Sequence, residues 1–530
     1  MKISNRPVPG RALRSPGSLR SPGSLRSPRS PRSPRSPRSW EVTLSPQLST
    51  SKSARSPLYV QIVQAIVTDI RRGRLLPGQA LPGSRTLAER LGVHRNTVLT
   101  AYAELQAEGW IQTDRARSTR VCEQLPELAA PAAQRSRRSS TLGFALPGLA
   151  PLAPPSVDEG LLLSDGTPDL RLAPRVALAR AYRRVLRGRD SELLGYGDVR
   201  GHVRLRHALA AMLRSTRGLE VSEHDLLLTR GSQMALSLLG RVLCGPGDVV
   251  AVEALGYRPA WQALGAEGAR LVPVPVDEEG LCVEPLAELA QRERLRAVYV
   301  TPHHQYPTMV TLSASRRLAL LELARRAGFA IIEDDYDHEF HYQGRPVLPL
   351  ASADTAGVVV YVGTLSKILA PGLRLGYLVA PAALLERCAS ERLQRDRQGD
   401  LALECAVAEL LEDGELQRHV GRMRRIYRTR RDALLAALER HLPGVVQARP
   451  PPGGMALWAR VDGVDLDAWI ARAAEQGLVL LGARYFRFDA APAPYVRFGF
   501  ARRSAEETAR AIEQLARLLP KRVAARRYRA

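Results

Sequence analysis

Apolar positions first fall into a helical rhythm at Leu58, Tyr59, Ile62, Val63, Ile66, Val67 and Ile70, spaced by three and four residues. That period predicts an amphipathic helix opening after Pro57 and ended by Gly73. Pro77-Gly78 and Leu81-Pro82 interrupt it, and Ser84 is then placed to cap a short helix carrying Leu87, Ala88 and Leu91. After the turn at Gly92-Val93, inward Val98, Ala101, Tyr102 and Leu105 predict another helix, with Arg95, Asn96, Thr97 and Thr100 at its start or outward. From Leu161 the rhythm changes. Unbroken apolar runs at 226–229, 249–252, 297–301, 330–333 and 358–362 alternate with helical stretches at 203–215, 232–243, 284–294 and 313–327. Such runs are strands buried on both faces, so an α/β domain with a mainly parallel sheet covered by helices is expected. After about residue 385, long helical stretches lead to Met455-Ala456-Leu457-Trp458 and to Tyr495 through Phe500, a smaller C-terminal α+β subdomain.

Composition divides the chain further. Residues 1–56 hold twelve Lys or Arg against the single acid Glu41, so nearly half of the formal +24 lies in about a tenth of the length. Arg-Ser-Pro and Gly-Ser-Leu units at 11–39 can neither form a helix ladder nor bury surface. The expected organisation is a disordered basic arm over 1–55, a helix-turn-helix domain over 56–122, a Pro/Ala-rich linker over 123–160, and the α/β domain over 161–530. The arm has two readings, a phosphate-contacting extension or translation from an early start codon. Cys122, Cys244, Cys282, Cys388 and Cys405 are odd in number and contain no C-x-x-C pair, which suits a reducing cytoplasm and neither a disulfide framework nor a metal site. No apolar run reaches the ~18 residues that span a bilayer, and the basic N-terminus lacks the apolar core of a signal peptide. A cytoplasmic protein without membrane contact is expected.

Chemistry concentrates at strand ends, where open parallel sheets hold ligands. The run at 358–362 ends in Thr364, Ser366 and Lys367, with Arg374 beyond a Pro-Gly turn. Two hydroxyls and a guanidinium around one amine are what a phosphorylated aldehyde requires: donors for phosphate and a nucleophilic nitrogen for a Schiff base. That describes pyridoxal 5′-phosphate on Lys367. Arg230-Gly231-Ser232-Gln233 opens a helix after another strand, where backbone N–H groups suit a phosphate. Tyr257 could stack on a pyridine ring. Glu333-Asp334-Asp335-Tyr336 offers a carboxylate for the pyridine nitrogen and a phenol for the ring oxygen, with at least one of the three acids expected to be solvated. Arg497, on a late aromatic-rich strand, could hold a ligand carboxylate bidentately.

Two resemblances follow from these residues. Pro57-Leu58-Tyr59, Gln61-Ile62, Pro77-Gly78, Leu81-Pro82, Arg85, Leu87-Ala88, Leu91-Gly92-Val93, Arg95, Thr97-Val98, Ala101-Tyr102 and Glu108-Gly109-Trp110 resemble the winged helix-turn-helix of GntR-type regulators. Ser366-Lys367 with Pro371-Gly372, Arg374 and Gly376-Tyr377, then Glu333-Asp334-Asp335-Tyr336, Tyr196-Gly197-Asp198 and Pro302-His303-His304-Gln305-Tyr306-Pro307-Thr308, resemble fold type I aminotransferases. Together they are similar to the MocR family, of the GabR and PdxR types. The resemblance implies Lys367 as the Schiff-base lysine, Asp334 on the pyridine nitrogen, Tyr336 on the phenolate oxygen and Tyr257 against the ring. Ser232, Gln233, Thr364, Ser366 and Arg374 would bind the phosphate, Arg497 the effector carboxylate, and Arg85, Arg95, Asn96, Thr97, Arg117 and Arg120 the DNA. A head-to-tail homodimer is implied, with Tyr196 reaching across its interface.

The chain departs from these patterns at His94 for a capping serine, at Arg117-Ser118-Thr119-Arg120 for a glycine-rich wing, at Tyr306 for asparagine and at Met309 for glycine. The function implied is a regulator that binds an operator and senses an amine, an amino acid or pyridoxal phosphate itself. A working aminotransferase with a DNA-binding head is the alternative. Deleting residues 1–50 is expected to reduce mainly salt-sensitive, sequence-independent DNA affinity; footprinting that reveals altered sequence preference would contradict a phosphate-tether role.

Overall fold

The helical rhythm near the N-terminus folds as α1 (Leu58–Arg71), α2 (Ser84–Leu91) and α3 (Arg95–Ala107), followed by a ribbon of β1 (Ile111–Thr113) and β2 (Thr119–Val121). Ile62, Ile66, Leu87, Val98, Ala101 and Leu105 form the core of this unit, as their spacing requires. The Tyr102 hydroxyl donates to the Pro82 carbonyl at 2.7 Å, tying α3 to the turn before α2. One capping expectation needs correcting, and one holds. Gly83, not Ser84, is the N-cap of α2, and no side chain caps that end; the Ser84 hydroxyl instead lies 3.4 Å from Arg95 Nε. His94 does cap α3, its Nδ1 accepting from the Asn96 N–H at 3.2 Å. Gly92 adopts φ 63°, the left-handed turn that lets α2 stop and α3 start at a new angle.

These elements belong to a computed structural model that describes residues 56–113, 118–126, 161–164, 166–188, 191–344 and 346–520. The chain divides into two compact units, Met1–Ala150 and Pro151–Ala530. The basic arm, Arg117 and most of the proposed linker lie outside the described residues.

In the larger unit, seven strands form one sheet: β3 (Leu226–Thr229), β4 (Val249–Glu253), β5 (Arg270–Val274), β6 (Leu295–Val300), β7 (Ala330–Asp335), β8 (Val359–Thr364) and β9 (Gly376–Val379). Their order is β3-β9-β8-β7-β6-β4-β5. Only β9 runs against the rest, pairing antiparallel with both β8 and β3. Helices α4 (Val203–Arg217) and α5 (Ser232–Leu243) lie on opposite faces: Leu209 and Leu213 pack in one core with Tyr361, and Leu236 and Leu239 in another with Val360 and Val362. The expected mainly parallel sheet covered on both faces is therefore present. Strands β5 and β9 escaped the sequence reading, since β5 carries Pro273 and an exposed Arg270 at an edge, and β9 is a short glycine-led segment.

The long helices α6 (Leu401–Glu412) and α7 (Glu415–His441) lead to a second sheet of β10 (Val446–Ala448), β11 (Ala456–Val461), β12 (Leu481–Gly482) and β13 (Tyr495–Gly499), in the order β10-β11-β13-β12. This is the smaller C-terminal subdomain. Trp469 and Phe498 are buried beneath it.

Candidate functional site

Parallel strands end together, so β7 and β8 deliver Asp334 and Thr364 to one edge of the sheet, with Ser366 and Lys367 just beyond. Lys367 Nζ donates to the Gly166 carbonyl at 3.0 Å. Gly166 also touches Arg497: a Cβ built on it would stand 2.9 Å from Arg497 Nη2. One backbone segment thus joins the lysine of β8's end to the arginine of β13. Arg497 is buried, gives Nη1 to the Ser164 carbonyl at 2.7 Å, and lies 4.7 Å over the Tyr306 ring. Its Nε has no partner.

Glu333, Asp334 and Asp335 are all buried, so the expectation of a solvated member is wrong. Three separate sets of donors hold them. Glu333 accepts from the Leu350 and Ala351 N–H groups at 2.7 and 2.9 Å. Asp335 accepts from the Tyr361 hydroxyl at 2.7 Å and lies 3.6 Å from Arg217 and 3.0 Å from His338 Nδ1. Asp334 Oδ2 accepts from the Tyr299 hydroxyl at 2.8 Å, while its Oδ1 has no partner. Alternation along a strand sends Asp334 to one face and its two neighbours to the other.

The electrostatics follow from those surroundings. Burial raises Asp334 to about 7, against the hydrogen bond from Tyr299 and the charge of Lys367, which favour the anion. Burial likewise raises Glu333 to about 7, and Glu253, bonded to Thr301, to about 7. Asp335 moves the other way: burial opposes ionisation, but His338, His303 and Arg217 outweigh it and hold the acid well below its ordinary value.

At the neighbouring phosphate candidates, Gly231 takes φ 84° ahead of α5, and β9 passes so close that a Cβ on Gly376 would meet Gly231 Cα at 2.8 Å and Ser232 N at 3.0 Å. Ser232 is the first residue of α5. Arg374 flanks the same turn, giving Nη2 to the Arg230 carbonyl at 2.7 Å. Ser366 N–H donates to Thr364 Oγ1 at 3.1 Å. Gln233 gives Nε2 to the Pro259 carbonyl and leaves Oε1 buried without a partner.

Tyr257 meets the Tyr306 ring edge-on, with centroids 5.4 Å apart, and Tyr336 donates its hydroxyl to the His304 carbonyl at 2.9 Å. Tyr196 is exposed, with the Arg397 guanidinium 4.1 Å over its ring. Met309 sits at φ 65° with its side chain buried. That backbone is natural to glycine, which accounts for the glycine of the family pattern, so methionine holds it under strain.

Among the DNA candidates, Arg85, Arg95 and Asn96 are exposed on α2 and at the head of α3, with Thr97 half-buried beside them. Arg120 is exposed on β2 but gives Nη1 to the Gly78 carbonyl at 3.1 Å. No group of three or more His, Cys, Asp or Glu able to hold a metal occurs among the described residues.

Sequence reasoning missed Gly166 and Tyr299. Tyr299 sits inside an apolar strand run, where a buried phenol must find a partner; Gly166 belongs to a turn-like stretch that no periodicity connects to Lys367.

Comparison with known proteins agrees with this geometry. Residues 158–515 match the class I and II aminotransferase family and residues 58–121 the bacterial regulatory proteins of the gntR family. The chain is 33% identical over 81% of its length to the probable rhizopine catabolism regulatory protein MocR of Rhizobium meliloti, covering 86% of that protein. It is 32% identical to the pyridoxine biosynthesis transcriptional regulator PdxR of Corynebacterium glutamicum, over 78% of this chain and 84% of the other. Among solved structures, the α-aminoadipate aminotransferase LysN of Thermus thermophilus, complexed with N-(5′-phosphopyridoxyl)-L-leucine, is similar with TM-score 0.63 and 30% identity over 68% of this chain and 92% of that one.

The chain therefore belongs to the class I and II aminotransferases by the fold of its larger unit, a pyridoxal 5′-phosphate-dependent family. With its GntR-type head, it is a transcriptional regulator of the MocR type.

The raised acids make a pH prediction. A carboxyl whose folded value lies near 7, against about 4 unfolded, binds its proton more tightly when folded. Stability from Asp334 is therefore full at low pH and falls as pH rises from about 4 to 7. In protein free of cofactor, Asp334→Asn is expected to flatten this decline by up to about 1.4 kcal/mol per pH unit. Urea unfolding followed across that range checks it, and an unchanged slope would place the proton elsewhere.

Proposed function

We propose that the larger unit holds pyridoxal 5′-phosphate on Lys367 and uses it to sense a small amino compound, or the cofactor itself, for a DNA-binding head. The observation that carries the reading is Asp334 Oδ1, a buried carboxylate oxygen with no partner, on an acid whose ionised form the charge of Lys367 favours. A pyridine N–H is the donor this oxygen lacks, and Tyr299 already fixes the other oxygen. When bound, the cofactor supplies an aldehyde that exchanges amines and a ring that draws electrons.

The chain's own groups would do the rest. Asp334 keeps a proton at the pyridine nitrogen. Tyr336 would give its hydroxyl to the ring oxygen, and Tyr257 would lie against the ring. Ser232, Gln233, Thr364, Ser366 and Arg374 would receive the phosphate around the N-terminus of α5. Arg497 would take the effector's carboxylate, its orphan Nε supplying one prong. Lys367 must be neutral to attack a carbonyl; its charge now rests on the Gly166 carbonyl.

In the head, Arg95, Asn96 and Thr97 at the start of α3 would read base edges, while Arg85, Arg117 and Arg120 contact phosphates. The working form is a cytoplasmic head-to-tail homodimer in which Tyr196 crosses to the partner site. Effector binding that favours one arrangement of the dimer changes operator affinity by the same free energy. Turnover would consume the signal, so transamination is incidental. The second reading, an active aminotransferase, draws on the retention of every cofactor residue named above, but Tyr306 replaces the asparagine expected of such an enzyme and argues against it.

Purified protein mixed with amino and keto acids separates the two: a spectral change without repeated turnover is expected, and sustained product formation would overturn the sensor reading. Lys367→Ala is expected to abolish the visible absorbance of the lysine-linked cofactor in a folded protein. A persisting band would remove Lys367 from this role. Arg95→Ala is expected to weaken operator binding by ~1–3 kcal/mol if it reads a guanine edge, measured by mobility shift at fixed salt; an unaltered footprint would refute the assignment.

A further inference from the structure

A second cavity opens within the larger unit, about 260 Å³ in volume, between the C-terminal end of α4, the junction of α6 and α7, and the segment after β7. One wall is apolar: Ile368, Leu411, Leu416 and Val420. The other is polar and includes Arg217, His338, Glu339, His341 and Arg424.

The polar wall is incompletely paired. Arg217 is fully engaged, with Nε on the Tyr361 hydroxyl at 2.8 Å, Nη2 on Glu339 and Asp335 nearby. His338 is 3% exposed; its Nδ1 faces Asp335, but its Nε2 has no partner. His341 Nδ1 is buried and equally without one. Arg424 gives Nε to the Glu339 carbonyl at 3.0 Å, which fixes the guanidinium plane, while its outer nitrogens meet no acceptor among the described residues. A half-buried guanidinium with its fork free, beside an orphan imidazole nitrogen and facing four aliphatic side chains, matches a carboxyl group carrying a short hydrocarbon chain.

We propose that this cavity is a second small-molecule site, separate from Arg497, that takes an aliphatic carboxylic acid. Its carboxyl group meets Arg424 and His338, and its chain lies over Ile368, Leu411, Leu416 and Val420. The site is placed to influence the cofactor pocket. Ile368 directly follows Lys367, and Asp335, the partner of His338, directly follows Asp334. An acid held here presses on the neighbours of both residues proposed to grip the cofactor, and any coupling acts equally in both directions. Binding itself does not depend on the cofactor reading.

Sodium hexanoate titrated into the full chain by calorimetry, with acetate as the chainless control, tests the proposal. Saturable hexanoate binding is expected, with acetate much weaker. Hexanoate binding should survive Arg497→Ala, fall at least about tenfold in Arg424→Gln, and be blocked by Val420→Trp. Absence of saturation, or loss with Arg497→Ala but not with Arg424→Gln, would overturn it. Should Val420→Trp fail to fold, the solvent-reaching Arg424→Gln, checked by its melting curve, decides alone. The titration is repeated without pyridoxal phosphate, so a failure of the cofactor assignment leaves the hexanoate result intact.

Discussion

A carboxylate taken out of water must be paired or keep its proton, and much of the larger unit can be understood from how it treats three of them in succession. Glu333 is satisfied by backbone N–H groups and Asp335 by a phenol, a guanidinium and an imidazole. Asp335 leaves its Oδ1 without a partner but sets its other oxygen beside cationic groups, whereas Asp334, on the opposite face of the same strand, has only the Tyr299 hydroxyl at one oxygen and no partner at the other. Burying an acid with one oxygen unmet is costly, and the cost appears in the raised affinity of Asp334 for its proton.

The sheet makes this arrangement tenable. Flanking β6 and β8 are apolar runs paired in parallel register with β7, so the strand cannot slip without exposing Ile331 and Ile332. Reversed β9 then brings Gly376 hard against the turn at Gly231, which sets the start of α5 beside Thr364 and Ser366. The candidate phosphate donors and the candidate ring partner are positioned by the same backbone ladder.

Much of this was legible from residue order. The strand ends carrying Asp334 and Lys367 could be read because apolar runs stop abruptly at polar residues, Arg497 because it interrupts an aromatic-rich strand, and α3 because Val98, Ala101, Tyr102 and Leu105 keep helical spacing. What could not be read depends on distant partners. A run of three acids looks solvated in at least one member until Leu350, Tyr361 and Arg217 are found beside Glu333 and Asp335, and Gly166 gains meaning only when Lys367 and Arg497 meet it from hundreds of residues away. Ser84 looked like a cap because serine favours that position, yet the chain enters α2 one residue earlier.

Met309 carries a last consequence. Its left-handed backbone is strained by about 1 kcal/mol, and the strain is held because the thioether is buried, so close to Gly454 that a Cβ there would meet Met309 Cε at 2.5 Å. A loop clamped in this way cannot change shape without surrendering that packing, so any movement of residues 305–310 is tied to repacking against the backbone at Gly454.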